Sequence, residues 1–213
     1  MFASKGGIVK RTFRTLLLFV APCLALSACA AGSQLHVPGD LTRPPGAVAP
    51  ALGAPQAVVA DFSYTAAPDG AIGRDFDRVR PIVWKGEPGK AMADLVAAVL
   101  RENGVAVIRR GAEEQGGDTV PVTISGVVRR FEVNSRRDST FNVLTEARVS
   151  VTVTASGPGL PAPSEQSVSS STSLPDVFVT PADIHEALMS TANAVAEEAA
   201  RKLLEAKVVS PSS

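Results

Sequence analysis

The sequence predicts an α+β domain, a mostly antiparallel sheet of about five to six strands with two helices packed on one face. Three observations carry this. Val143 to Ala155 alternates apolar and polar residues, the period of a half-buried strand. Met92 to Leu100 and Ile184 to Leu203 instead repeat apolar residues every three or four positions, the period of a helix with one buried face. The segments between them are short and β-patterned, and Gly, Pro and Asn punctuate their ends.

The chain has 213 residues, of which 45% are hydrophobic, enough for one core of ordinary size. Its first 28 residues stand apart from the rest. They hold Lys5, Lys10, Arg11 and Arg14 and no acid, and the apolar run Leu16 to Leu26 follows. A membrane-spanning helix needs roughly 20 apolar residues, and this run is shorter and carries Pro22. Residues 1–28 therefore read as a secretory signal that is removed. Leu26-Ser27-Ala28-Cys29 resembles the lipobox of bacterial lipoproteins, where an aliphatic and two small residues precede the cysteine that takes a diacylglyceryl group. The thiol is the nucleophile in that transfer. The alternative is an ordinary secreted protein cut at an Ala-x-Ala-like site. Cys23 lies in the removed segment, so no internal disulfide can form in the mature chain.

Removing residues 1–28 leaves 17 basic and 21 acidic residues, a net charge of −4. A mildly acidic chain with one Trp and one Tyr is a poor nucleic-acid binder, because phosphate neutralisation needs clustered Lys and Arg. Residues 29–56 read as the lipidated cysteine and a flexible tether: Ala30 to Gln56 has five prolines and four glycines. As a random coil it would reach about 30 Å. His36, alone in this stretch, reads as solvated.

Residues 57–207 are expected to form the single domain. Val58, Ala60, Phe62 and Tyr64 alternate with polar or smaller neighbours, a strand with one buried face. Ala66 to Arg74 contains Pro68-Asp69-Gly70 and reads as a loop, and Arg78 to Trp84 as an edge strand because Pro81 cannot donate to a ladder. Met92, Leu95, Val96, Val99 and Leu100 line one helix face between Pro88 and the Asn103-Gly104 cap. Val105 to Ile108 is a short buried strand. Val122 and Ile124 are out of phase with Phe131 and Val133, so a bulge is expected near Gly126–Val128. Serine-rich Gln166 to Leu174 reads as an outer or edge strand. Thr180-Pro181-Ala182-Asp183 resembles a capping box opening the last helix, whose stripe is Ile184, Leu188, Ala192, Val195, Ala199 and Leu203. Residues 208–213 are expected to be a disordered tail.

No catalytic elbow, phosphate loop, dinucleotide fingerprint or zinc helix occurs in the sequence, and two histidines cannot make an all-histidine metal site. The expectation is therefore no enzyme, no cofactor and no metal. Asp75 and Asp77 resemble the start of a calcium loop but lack its later ligands, so they read as solvated carboxylates. His185, in the first turn of the last helix, reads as a boundary residue. Arg109-Arg110, Arg129-Arg130 and Arg136-Arg137 fall at or near expected strand ends. They read first as solvated edge residues that discourage sheet-to-sheet pairing. Their second reading, held for Arg129, Arg130, Arg136 and Arg137, is a patch for an anionic headgroup, glycan phosphate or acidic partner.

The chain also resembles the YajG-type family of small bacterial lipoproteins. The likeness lies in Val58-Val59-Ala60-Asp61-Phe62, Ile72-Gly73, Glu102-Asn103-Gly104-Val105, Ile124-Ser125-Gly126-Val127 with Phe131, the Ala147–Val153 strand and the alanine-rich last helix. The resemblance implies a lipid-anchored envelope protein and assigns no functional residue beyond Cys29. The expected function is a non-enzymatic envelope lipoprotein that binds a protein partner or supports an assembly in the periplasm. The alternative is an auxiliary lipoprotein of a lipid or solvent transport system, for which an apolar cleft between helix and sheet would speak. Ala30 presents no charge after the cysteine, so the expected location is the periplasmic face of the outer membrane, with acyl chains in the lipid.

Overall fold

The computed structural model of the protein describes residues 34–41, 43, 57–75, 80–111, 122–158 and 160–209. Long β-patterned segments set its plan. β7 (Val122–Arg137), β8 (Val143–Ser156) and β9 (Ser164–Asp176) form an antiparallel meander in which β8 lies between the other two. The alternation read in β8 is observed: Val143, Ala147, Val149, Val151 and Val153 are buried on one face. Among the described residues β9 pairs with β8 alone, and its serines suit that outer place.

The other side of β7 is shared by three parallel partners in succession. β2 (Ala57–Ala60) lies beside Val122–Ile124, β3 (Ser63–Tyr64) beside Val127 and Val128, and β4 (Ala71–Asp75) beside Val133 and Asn134. β6 (Val107–Arg110) extends the sheet beyond β2, parallel to it. Beyond β4, β5 (Arg80–Lys85) runs antiparallel and β1 (Leu35–Pro38) runs parallel to β5. The described sheet thus has nine strands and is mixed, where five to six mostly antiparallel strands were expected. Alternation reports which face is buried and is silent about the direction of a neighbour, which accounts for the difference.

Helices α1 (Pro88–Glu102) and α2 (Pro181–Glu205) pack on this sheet and on each other, so they share one face of it. Every residue of the predicted α2 stripe has 0% exposure, and the Thr180–Asp183 capping box is formed in both directions. α1 ends as expected at Gly104, whose φ of +79° accepts the left-handed turn while Val105 donates back to the Leu100 carbonyl.

Local differences follow from pairing. The first domain strand breaks at Asp61: Ala57, Val58 and Val59 are all buried, Phe62 packs in the core, and Ala60 and Tyr64 are only half-buried, so the strand does not have one buried and one open face. Ala71–Asp75, read as loop, is strand β4. β5 is flanked on both sides, yet Pro81 is tolerated because β1 begins opposite Ile82 and never reaches it. β6 lies outermost beyond β2, with Ile108 45% exposed, where a buried strand was expected. Leu35–Pro38, read as tether, joins the sheet because Leu35 and Val37 bury one face while His36 stays exposed. Val208 and Val209, read as tail, are buried below α2. The predicted bulge occurs one step later than expected, at Arg129 between Val128 and Arg130.

Candidate functional site

Leu26, Ser27, Ala28 and Cys29 lie outside the described residues. The arginine pairs lie within them, and the structure sends each pair to different work. Arg109 donates to Asp94 at 2.6 Å, to Asp61 at 2.5 Å and to the Val59 carbonyl at 2.5 Å. One guanidinium thereby ties β6 to β2 and α1, a structural clamp. Arg129-Arg130 and Arg136-Arg137 are seven residues apart on β7, about 23 Å at the rise of a strand. They do not form one patch. β8 flanks Arg129 and Arg130 on one side, but on the other β3 pairs only as far as Val128 and β4 only from Val133, so the two arginines stand at a local gap in the ladder.

The bulge explains what Arg129 and Arg130 do. In an unbroken strand, consecutive side chains point to opposite faces. The extra residue leaves both arginines exposed between buried Val128 and buried Phe131. They line a cleft of about 590 Å³ with Arg74, Glu132 and Asn134, on the sheet face away from the helices. Its other wall is the Tyr64–Ile72 segment. Gly73 fixes the approach of that wall: a Cβ there would lie 1.5 Å from the Val133 carbonyl oxygen. Arg74 next to it donates its backbone N–H to Asn134 Oδ1 at 3.1 Å.

The electrostatics of the cleft are unbalanced. Arg130 is 3.6 Å from Glu132. Among the described residues Arg74 has no ion-pair partner, and Arg129 has only the Thr152 hydroxyl, at 3.5 Å. Asp69 is occupied by its own turn, accepting from the Ala71 N–H. Tyr64 stands edge-on to Phe131 at 6.4 Å; burial first, then the Glu132 carboxylate, pushes its hydroxyl above the usual tyrosine pKa. The walls can stack and donate hydrogen bonds to an anionic group. The arrangement suits recognition.

No family model matches the chain. No curated protein matches it in sequence. Solved structures do match in fold. A Xanthomonas campestris protein of family DUF330 superposes with a TM-score of 0.51 at 16% identity, over 82% of this chain and 96% of its own. A minor lipoprotein from Acinetobacter baumannii gives 0.41 at 10% identity, over 74% and 98%. The PelC dodecamer from Paraburkholderia phytofirmans gives 0.38 at 18%, over 70% and 89%. The first likeness is one of fold; the other two are too distant to say more.

Two other residues singled out in the sequence find their places. His185 sits at the helix–sheet boundary, stacked on Trp84 at 6.2 Å, with Nε2 2.8 Å from the Asp40 carbonyl oxygen. Asp75, read as a solvated carboxylate, is 2% exposed. It accepts two bonds from Arg80, at 2.7 and 3.2 Å, and one from the Ser135 hydroxyl at 3.2 Å. The β4–β5 hairpin brings Arg80 back over it, which makes burial tolerable. Asp77 lies outside the described residues. The sequence does not bring Tyr64, Arg74 and Asn134 together, because parallel pairing of distant strands assembles their cleft.

Proposed function

We propose that the chain is a non-enzymatic lipoprotein of the bacterial envelope, anchored by acylated Cys29, whose domain binds an envelope protein through an acidic feature seated in the arginine cleft. The observation that carries this reading is Leu26-Ser27-Ala28-Cys29 at the end of a basic and then apolar segment. The cleft supports the binding half: two guanidiniums lack a carboxylate partner among the described residues, beside an aromatic wall. The transport-auxiliary reading called for an apolar cleft between helix and sheet. That layer is filled by Met92, Leu95, Leu100, Leu188 and Leu203, each at most 1% exposed, and the arginine cleft has no helix residue in its wall.

The proposal places the protein on the periplasmic face of the outer membrane, since Ala30-Ala31-Gly32 offers no charge after the cysteine. Acyl chains at about 0.8 kcal/mol per buried methylene hold in either membrane, so sorting and not anchoring decides the location. Sucrose-gradient fractionation tests it. Wild type is expected with outer-membrane markers, and Ala30→Asp is expected to move inward. Wild-type protein sedimenting with inner-membrane markers overturns the location and reopens the transport reading.

A further inference from the structure

Four large apolar side chains are exposed among the described residues, and three of them gather at one end of the sheet. Phe141, 79% exposed, sits in the turn joining β7 to β8, just beyond the Arg137–Val143 pair. Val177 and Phe178, 54% and 75% exposed, follow the end of β9, where Asp176 pairs with Val143. Neither turn is slack. The Ser139 hydroxyl accepts the Phe141 and Asn142 N–H groups, and Asp176 accepts the Val177 N–H ahead of the α2 capping box. Ordered turns that hold aromatic side chains in water call for a partner surface.

The chain enters its fold at the same end. β1 runs down from Leu35, parallel to β5, and Leu35 shares a cavity of about 260 Å³ with Phe178. Leu35 is only six positions beyond Cys29, a reach of at most about 22 Å. Leu35 lies level with Val133, four residues below the top of β7, a distance of about 13 Å. The opposite end of β7, at Val122, is eleven residues away, about 36 Å and beyond that reach. A chain held by Cys29 can bring the Phe141 and Phe178 end to the lipid, and cannot present the far end.

We propose that Phe141, Val177 and Phe178 dock the domain on the lipid leaflet that holds the acylated Cys29, so the protein stands on the membrane with β7–β9 upright. The occupant is the bilayer interface, where aromatic side chains settle at the headgroup–acyl boundary. Arg136, 59% exposed beside the turn, can rest its stem there and keep its charge at the headgroups. This inference rests on the anchoring reading above. It leaves the arginine cleft, on the sheet face, clear of the lipid.

The test uses the mature lipoprotein in vesicles of phosphatidylethanolamine with phosphatidylglycerol. Phe141→Cys, Phe178→Cys and Ala162→Cys each introduce one thiol, the last in the β8–β9 connection at the other end; a lipidated Cys29 is a thioether and does not react. An environment-sensitive fluorophore at 141 and 178 is expected to shift to the blue and to lose intensity to quenchers in the acyl region, while one at 162 responds only to aqueous quencher. Protein that floats with the vesicles but keeps all three labels in water overturns the docking alone. Labels at 141 and 178 shielded from both quenchers would mean a protein partner or a second copy, which also overturns it. Protein that does not float overturns the anchoring, and the docking falls with it.

Discussion

At the scale of single residues, Asp75 and Lys207 show charge and backbone geometry settled by their surroundings. Asp75 is buried because Arg80 and Ser135 together satisfy its oxygens. Arg80→Met leaves that carboxylate buried with its charge uncompensated, and a loss of about 3 kcal/mol is expected in urea unfolding. The double variant Asp75→Leu with Arg80→Met removes both charges and is expected to be more stable than Arg80→Met alone; equal stability would show that the lone carboxylate is not costly at this site. Lys207 occupies the turn after α2 at φ +53°, a conformation costly for any side chain, while Val208 donates back to the Leu203 carbonyl. Lys207→Gly keeps that bond and is expected to raise stability by about 1 kcal/mol, read from the urea midpoint at unchanged slope. A lower midpoint would mean that the lysine side chain itself holds the C-terminal turn.

At the scale of elements, β8 offers the sharpest check on face assignment. Val151 is 1% exposed and faces the helices, so Val151→Asp buries an unpaired charge and is expected to abolish the cooperative unfolding transition. Thr152, on the other face, is a poor control because it is itself 7% exposed, beneath Arg129 and Ser167. Ser150 is better: its partner on β7 is Arg130, and Ser150→Asp is expected to change stability by less than about 1 kcal/mol. Equal damage from both substitutions would refute the face assignment. These elements were legible because their signals are local. The β8 alternation, the α2 stripe, the Asn103-Gly104 and Thr180–Asp183 caps and the phase fault in β7 are each written within one continuous stretch of at most about 20 residues. The arginine cleft was not legible: it needs a bulge at Arg129 and the parallel seating of Gly73 against Val133, residues sixty apart that no periodicity connects. Strand β1 hid for a related reason, since four residues amid Pro and Gly show too little alternation to outweigh their neighbours.

At the scale of the whole molecule, the incorporation of Leu35–Pro38 into the sheet changes what the N-terminal segment can do. With an anchor at Cys29, a tether of 27 residues would lift a domain clear of the lipid, whereas one that ends at Leu35 would hold it close. The mixed sheet then has three distinct presentations: a helix-covered face that forms the core, an open face carrying the arginine cleft, and an end carrying Phe141 and Phe178. Each assigned role depends on the chain being fixed at Cys29, and metabolic labelling with radioactive palmitate tests that most directly. Wild-type protein is expected to incorporate label and run at its processed size, while Cys29→Ser is expected to accumulate unlabelled as precursor or soluble protein. Equal labelling of the two, or none in the wild type, would contradict the account.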